Sequence, residues 1–245
     1  MENWIKKEDC TGCGACSNIC PRNAIIMKES VDGFRYPAID NEKCINCNMC
    51  QKTCPILSYK KDNNEFPKVY AGWSKNEKTR FTSTSGGIFT ELVSKHVELG
   101  GYVIAAGYNN SNMVEHKVTN SLLELEGLKQ SKYLQSDTNT VFIETKKLLN
   151  NNKKVIFCGS PCQIAALRKF LNGDHNNLLT IEFICRGMNS PKAYRCWLNE
   201  IEKRQKSKAI KVWFKYKDKG WKASPKCTRI DFENGKSIVL RGKKN

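Results

Sequence analysis

Two short segments near the start of the chain carry eight cysteines with one repeated spacing. Each segment reads C-x2-C-x2-C-x3-C followed by proline, and its cysteines are Cys10, Cys13, Cys16 and Cys20 in the first and Cys44, Cys47, Cys50 and Cys54 in the second. Two intervening residues make a tight turn that points successive sulfurs to one side, so three close cysteines can hold one face of a metal cluster. The fourth ligand of each cluster must then come from elsewhere.

The repeated spacing is typical of bacterial two-cluster ferredoxins, in which the fourth cysteine of each run binds the other cluster. It predicts two 4Fe-4S clusters, one bound by Cys10, Cys13, Cys16 and Cys54 and the other by Cys44, Cys47, Cys50 and Cys20. Gly12 and Gly14 would let backbone amides approach the sulfurs, where hydrogen bonds tune the potential. Pro21 and Pro55 would end the ligand turns.

Structural zinc is the alternative interpretation, because zinc sites also favour C-x2-C pairs. A zinc site needs only four ligands, and its geometry does not require two runs of four cysteines with this spacing and a following proline. Disulfides are a weaker explanation, since 13 cysteines in 245 residues fall below the density of a disulfide scaffold. The N-terminus lacks an apolar segment, and no run approaches the roughly 18 apolar residues of a membrane span. We therefore expect a cytoplasmic protein with reduced thiols and no membrane span.

The chain carries a formal net charge of +17. Its lysines are dispersed and no nucleic-acid recognition motif accompanies them, so nucleic acid is not an expected partner. Two 4Fe-4S clusters with their thiolates would lower the charge to about +13. The remaining excess suits anionic partners such as a flavin phosphate, an anionic electron carrier or a ferredoxin. A merely solvated basic surface is equally compatible with the composition.

The rest of the chain must position whatever exchanges electrons with the clusters. The sequence predicts a ferredoxin-type domain over residues 1–57 with "AIIM" and "RYPAID" as strands, a polar linker over 58–67, and an α/β domain over 68–245. In that domain "GYVIAAGY", "KKVIFCGS" and "LLTIEFIC" predict buried strands, and "RIDFENGKSIVL" a hairpin at Asn234-Gly235. Amphipathic stretches between them predict helices. The expected fold class is α+β, with a mixed sheet in the second domain.

Three loops of the α/β domain are candidate binding sites. "STSGGIF" places Ser85, Gly86 and Gly87 at a helix start, where free amides could receive a phosphate, although an ordinary capped helix looks the same. "SKYLQS" sets Lys132 and Gln135 beside Tyr133, a mix able to pair with a phosphate or a flavin edge, or to form a polar turn.

The third loop, "FCGSPCQIAALRKF", places a cysteine at the start of a helix. Ser160 is the expected N-cap and Pro161 the first helical residue, so Cys162 lies in the first turn, where a thiol pKa is lowered. Cys162 is a candidate cluster ligand, a redox thiol or an inert neighbour of the cap. Cys158 is expected to pack in the core.

Taken together, "TSGGIFTEL", "SKYLQS", "GSPCQIAAL", "ICRGMNSPKAY" and "FKYKDKGW" resemble the coenzyme F420 hydrogenase/dehydrogenase beta-subunit family. The resemblance runs in order over nearly the whole chain. It implies an iron–sulfur flavoprotein oxidoreductase that binds FAD and passes electrons between clusters and an acceptor, often F420. It also implies a flavin site at Ser85, Gly86, Gly87, Lys132, Gln135 and Ser136, and it assigns no catalytic residue. A non-catalytic electron-transfer subunit that docks a redox partner is the rival interpretation.

The sequence departs from the family pattern in two places. The family usually reads C-H-G where this chain has Cys185-Arg186-Gly187, so a proton-handling histidine is absent there. Members also continue into a segment with further cysteines, so the resemblance implies that this chain is truncated. Outside helix interiors only Cys158, Cys162, Cys185 and a loop residue, Cys227, remain for a third site. We therefore expect no complete third cluster within these 245 residues.

Overall fold

The computed structural model describes residues 4–58, 67–173, 175–218, 220 and 227–241. The predicted linker 58–67 lies outside the described residues except for its two end positions. Lys219 and Trp221 of the "FKYKDKGW" stretch also lie outside them. No helix of the described ranges is long and apolar enough to cross a membrane.

The N-terminal segment repeats one small unit around its two cysteine runs. It contains α1 (Ala15–Ile19), β1 (Ile25–Glu29), β2 (Arg35–Ile39) and α2 (Met49–Thr53). The two strands pair antiparallel, as expected from the sequence. Each helix begins after a left-handed residue that follows the second cysteine of its run, Gly14 in one repeat and Asn48 in the other. The equivalent cysteines therefore occupy equivalent places in two similar turns.

The rest of the described chain alternates helices and strands, as the apolar periodicity predicts. Its helices are α3 (Glu77–Thr82), α4 (Ile88–Glu98), α5 (Leu125–Leu128), α6 (Val141–Asn150), α7 (Pro161–Leu171) and α8 (Pro191–Gln205). Its strands are β3 (Tyr102–Tyr108), β4 (Val114–Thr119), β5 (Val155–Gly159), β6 (Leu178–Glu182), β7 (Ala209–Tyr216), β8 (Cys227–Phe232) and β9 (Ser237–Arg241).

The main sheet is mixed, which confirms the predicted fold class. Its strand order is β4-β3-β5-β6, with β3, β5 and β6 parallel and β4 antiparallel. Strands β7, β8 and β9 form a separate antiparallel sheet whose last turn holds Gly235 at a φ of 79°. Because carboxyl ends of parallel strands share one edge, Tyr108, Gly159 and Glu182 end at the same side of the main sheet. We call this side the carboxyl edge.

The N-terminal segment is packed into the core of the α/β domain. Phe142, Phe157 and Leu167 are fully buried in one cluster, and Ala15 of α1 belongs to the same cluster. Cys13 and Ile19 pack against it. The two predicted domains therefore share apolar packing, which fixes the cysteine runs against α6 and α7.

Two sequence-based expectations are wrong. "LLTIEFIC" was expected to be a buried strand, but β6 is the edge strand of its sheet, and Leu179 is 51% exposed because only β5 pairs with it. Phe183 and Ile184 beyond the strand are exposed as well. Cys227 was placed in a loop, whereas it begins β8 and is buried. The first error arises because apolar content does not show whether a strand has one neighbour or two.

Candidate cluster and cofactor site

Two cavities in the N-terminal segment are each walled by four cysteines. One, which we call the inner cavity, is lined by Cys10, Cys13, Cys16 and Cys54. The other, which we call the outer cavity, is lined by Cys20, Cys44, Cys47 and Cys50. The last cysteine of each run has thus crossed to the cavity of the other run. The structure brings together the same two sets of four cysteines that the spacing predicts.

The donor set and its arrangement fit a 4Fe-4S cluster in each cavity. All eight thiols are free of disulfides. Within the described residues, no three His, Cys, Asp or Glu side chains converge closely enough to hold one metal ion. Four thiols spread around the wall of a cavity instead suit a cubane, in which each iron takes one thiolate. That the eight cysteines are the ligands stays a prediction.

Burial acts against bare thiolates in the inner cavity. Burial raises the pKa of Cys10, although a hydrogen bond from the Gly12 amide partly offsets it. Burial also raises the pKa of Cys13 to about 12, against a hydrogen bond from the Ala15 amide. Burial and the neighbouring Cys13 raise the pKa of Cys16. Iron would supply the missing positive charge, so cluster assembly at these thiols must displace protons.

The inner cavity lies against the α/β domain and is fastened to it by hydrogen bonds. Thr138 Oγ1 donates to the Cys13 carbonyl at 3.1 Å. Asn18 Nδ2, one turn along α1, donates to the Asn139 carbonyl at 2.6 Å. Because these partners belong to one loop, residues 138–139 fix the turn that carries Cys13.

Gln135 makes the second fastening, at β2. Its Oε1 accepts a hydrogen bond from the Arg35 amide at 2.8 Å. Arg35 also forms an ion pair with Asp137. The "SKYLQS" segment, which the family resemblance implies to be part of a flavin site, therefore also binds the ferredoxin-type segment. Sequence reasoning missed this second role.

Gly12 and Gly14 serve this contact as well as the sulfurs. Both have positive φ, 64° and 78°. A Cβ on Gly12 would collide with the Gln135 amide, and one on Gly14 would collide with Thr138 Oγ1. The glycines expected only to expose amides to sulfur thus also let the α/β domain approach the cysteine turn.

Cys162 lies where the carboxyl edge meets the inner cavity. It is in the first turn of α7, which begins with Pro161 after the N-cap Ser160, as predicted. Cys162 is close enough to Cys10 and Cys13 for its charge to affect both thiols. The interactions described for Cys162 therefore connect it with the inner cavity.

A chain of buried hydrogen bonds runs from Cys162 under the sheet. Cys162 Sγ lies 3.1 Å from Ser160 Oγ, which in turn lies 3.0 Å from Gln163 Oε1. Gln163 Nε2 is 3.0 Å from Ser136 Oγ, and Ser136 Oγ is 2.9 Å from His116 Nδ1. The last bond joins His116 Nε2 to the Cys158 carbonyl at 3.2 Å. Because the Gln163 amide donates to Ser136, the Ser136 hydroxyl is left to donate to His116.

This direction of donation determines which tautomer of the His116 ring is present. Nδ1 accepts from Ser136, so the ring proton is on Nε2 and is donated to the Cys158 carbonyl. Burial lowers the pKa of His116 to about 4, which keeps the ring neutral. His116 and Gln163 were missed at the sequence level, because no spacing links them to each other or to a ligand.

The Lys132 side chain lies near the carboxyl edge, and its ammonium group donates hydrogen bonds to backbone carbonyls. Its Nζ donates to the Lys129 carbonyl at 2.7 Å and to the Gln130 carbonyl at 3.4 Å. Burial lowers the pKa of Lys132 to about 7, and nearby Cys158 acts in the opposite direction. A lysine with this pKa exchanges a proton readily near neutral pH.

The predicted phosphate loop has the expected backbone and an acidic neighbour. Gly87 has a φ of 90° and precedes α4, and Ser85 is exposed. Ser74 donates its amide to the Gly86 carbonyl at 2.7 Å and its hydroxyl to Glu91 at 2.5 Å. Glu91 in the first turn of α4 thus already uses part of the favourable potential at this helix start.

The two predicted flavin-binding segments lie side by side. Gln130 Nε2 donates to the Thr82 carbonyl at 2.9 Å, and the Ser131 amide donates to Thr84 Oγ1 at 2.9 Å. Lys217 closes the same region, because its buried Nζ donates to the Ser83 carbonyl at 2.5 Å. Of the six predicted residues, Lys132, Gln135 and Ser136 have side chains that are hydrogen-bonded within the protein.

A cleft that the sequence did not predict opens beside this region. Its walls come from the turn after β3, α5, α8 and β7, and they include Tyr108, Lys129, Lys132, Arg195, Lys208 and Lys211. Lys129 and Lys208 form ion pairs with Glu126 and Glu202. The cleft is basic and touches the Lys132 side of the carboxyl edge.

Comparison with known proteins matches both parts of the chain. The family model "4Fe-4S dicluster domain" matches residues 9–56. The family model for the carboxyl-terminal part of "Coenzyme F420 hydrogenase/dehydrogenase, beta subunit" matches residues 152–240. An uncharacterized ferredoxin of Methanocaldococcus jannaschii is 35% identical over 76 residues, which are 28% of this chain and 97% of that protein.

Among solved structures, one similar chain belongs to the F420-reducing [NiFe] hydrogenase complex of Methanosarcina barkeri. It is 16% identical, with a TM-score of 0.46, and the match covers 69% of this chain. This chain spans 58% of that one.

The dicluster match covers both cysteine runs, and the beta-subunit match covers the part of the chain from β5 to β9. The N-terminal segment thus has the ferredoxin-type pattern and the role of an iron–sulfur electron carrier with 4Fe-4S clusters. The chain therefore begins with a two-cluster ferredoxin domain, and its residues 152–240 match the carboxyl-terminal part of coenzyme F420 hydrogenase/dehydrogenase beta subunits.

Proposed function

We propose that this chain is an iron–sulfur flavoprotein oxidoreductase. Cys10, Cys13, Cys16 and Cys54 would hold one 4Fe-4S cluster and Cys20, Cys44, Cys47 and Cys50 the other. FAD would bind at the carboxyl edge, between the loop 85–87 and the segment 132–136. When bound, the flavin would exchange single electrons with the clusters and a hydride with F420 or another small acceptor.

One observation carries this proposal. Helix α1, which carries Cys16 of the inner cavity, packs on α7, and Cys162 in the first turn of α7 acts electrostatically on Cys10 and Cys13. Ligands of open α/β sheets bind outside the carboxyl ends of the strands. An electron that reaches the inner cluster is therefore at the edge where this fold type binds its cofactors.

Residues of the chain have definite tasks in this proposal. The amides at the start of α4 would meet a phosphate, which Gly87 allows by its left-handed backbone. Lys132, with a pKa near 7, would hold or release a proton beside the cofactor. Ser160 and Gln163 would keep Cys162 oriented at the contact between the two parts.

A non-catalytic electron-transfer subunit is the second candidate, and one observation favours it. Gln135 is bonded to Arg35 and Ser136 to His116 and Gln163, so neither side chain has to await a cofactor. In that case the α/β domain would serve to dock a redox partner. Flavin content separates the two functions.

Stopped-flow mixing tests the enzyme proposal. Anaerobically purified protein, reduced by dithionite and freed of excess reductant, is mixed with oxidised F420 while cluster and F420 absorbance are followed. We expect the clusters to be reoxidised as F420 is reduced, and a flavin-stripped sample to lose this reaction. Protein that holds clusters but no flavin would instead support the electron-transfer subunit.

A further inference from the structure

We infer that the solvent-facing wall of the outer cavity docks a small acidic protein that carries one electron at a time. The inference rests on the proposed relay and names the partner that exchanges electrons with it. We call this wall and its rim the docking face. It consists of Arg22, Ile45, Cys47 and Met49, which line the cavity, and of Lys52 at the rim outside it.

Exposure distinguishes the outer cavity as the entry point. Residues 41–49 are exposed throughout, except for Cys44. Cys47 is itself exposed, whereas Cys16 and Cys54 of the inner cavity are buried. A carrier could therefore approach the outer cluster closely at Cys47, while Thr138 of the α/β domain is bonded to the turn of Cys13 beside the inner one.

The docking face has an apolar centre. Ile45 is 58% exposed and Met49 is 39% exposed, and both line the outer cavity beside Cys47. Short-lived redox encounters use small contact areas, so two apolar side chains around an exposed ligand are enough to orient a partner. Methionine also adapts its shape to different partners.

Charge selects an acidic partner. Arg22 and Lys52 are exposed at the rim and form no ion pair within the described residues. Asp40 is neutralised by Lys43 at 2.8 Å. Residues 1–57 hold seven basic and seven acidic side chains, so the net charge of +17 lies in residues 58–245. Two 4Fe-4S clusters with their thiolates would bring residues 1–57 to about −4, so the rim cations Arg22 and Lys52, and not the net charge of that segment, would meet an acidic carrier at the face. The charge of +17 in residues 58–245 attracts the carrier to the molecule from a distance.

The electron count is balanced at each step. A reduced carrier loses one electron and the outer cluster gains it, with no bond made or broken. The inner cavity lies next to the outer one, since α1 packs on α2 and Cys50 affects Cys16 electrostatically. The electron then passes to the inner cluster and reaches the carboxyl edge. An oxidised carrier would take an electron from the same face in the reverse direction.

Stopped-flow reduction with two different reductants tests the docking face. The probes are a reduced plant-type 2Fe-2S ferredoxin, which is acidic, and reduced methyl viologen, which needs no docking. The variants are Ile45→Glu at the apolar centre and Lys52→Glu at the rim outside the cavity. Leu123→Glu is the matched control for Ile45→Glu, because it replaces an apolar side chain by the same charge at an 83% exposed site of the α/β domain.

We expect Ile45→Glu to slow reduction by ferredoxin roughly tenfold and Lys52→Glu roughly threefold, because like charges then face each other. Lys52→Glu, which lies outside the outer cavity, should keep the iron content and the viologen rate of the unaltered protein, and Ile45→Glu should lose more of its ferredoxin rate than of its viologen rate. Leu123→Glu should change the ferredoxin rate by less than about twofold, since distant surface charges are screened.

Three outcomes would overturn the inference. They are a ferredoxin rate unaffected by both face variants, an equal loss in Leu123→Glu, and an unaltered protein that viologen reduces but ferredoxin does not. Failure of the proposed function looks different, because the unaltered protein would then lack clusters or flavin. The viologen rate and the iron content report on that separately.

Discussion

The inner and outer cavities have the same cysteine spacing and different surroundings. The inner cavity is packed on the α/β domain through Thr138 and the turn of Cys13, and burial raises the pKa of Cys10, Cys13 and Cys16. The outer cavity opens to solvent at Cys47. The difference shows that the repeated cysteine spacing provides the four thiols of each cavity, whereas the contacts around a cavity determine what that cavity can exchange electrons with. In the proposed relay, one cluster would face the partner and the other would face the α/β domain.

The largest expected effect comes from removing one cysteine that lies in the cavity of the other run. Cys20→Ser should lose the outer cluster and lower the iron content from about eight to about four, because Cys20 completes the outer cavity and not that of its own run. Mössbauer and electron paramagnetic resonance spectra identify the surviving cluster. Cys196→Ser, at an exposed position on α8, is the control and should keep all iron. Loss of the inner cluster in Cys20→Ser would contradict the crossed ligand sets.

The next effect concerns the flavin beside the inner cluster. Gly87→Asp should abolish flavin retention and leave both clusters in place, because it adds a negative charge where the proposal puts a phosphate. Gly87→Ala is the matched control, since it shares the cost of a side chain at a φ of 90° without the charge. Absorbance and iron analysis of both variants measure the effect. Equal flavin content in the two variants would argue against a phosphate at this loop.

A smaller effect should follow from loosening the inner cavity alone. Gln135→Leu leaves the Arg35 amide without its acceptor and should lower the free energy of unfolding by about 1–3 kcal/mol. Gln135→Glu keeps an acceptor oxygen and should lose less. Anaerobic urea unfolding measures the stability, and the spectrum of the inner cluster should change before that of the outer one. Equal stability of the two variants would show that the hydrogen bond matters little.

A pH dependence at His116 is the smallest effect near neutral pH and grows as the pH falls from about 6.5 to about 4. Burial lowers its pKa from 6.5 to about 4, so the unfolded chain binds a proton that the folded protein excludes between these values. Stability should therefore fall as pH falls, by about 1.4 kcal/mol for each unit below about pH 6.5. Urea unfolding of His116→Phe, which retains a ring to stack on Phe157, should lack this component. The same pH slope in both proteins would contradict it.

The sequence was sufficient for features set by local spacing. The cysteine runs predicted both cavities with their crossed members, because ligand turns depend on neighbours along the chain. Ser160 and Pro161 predicted the start of α7, since capping is local too. The alternation of apolar runs gave β3, β5 and the β8–β9 hairpin within a residue or two.

Features set by contacts between distant segments were not predictable. Gln135 is bonded to Arg35, a hundred positions away, and the chain from His116 to Cys162 joins three separate elements. No periodicity records such pairs. The exposed β6 was misjudged for the same reason, because strand order decides burial and is not written in the strand itself.

Chemical analysis of the anaerobically purified full chain tests the central claim most directly. Iron, acid-labile sulfide and flavin are measured per chain in one preparation. We predict about eight irons, about eight sulfides and one flavin, as two 4Fe-4S clusters and one cofactor at the carboxyl edge require. About twelve irons would mean that a third cluster also forms in these residues. A chain with about eight irons and no flavin, or with zinc in place of iron, would contradict the account.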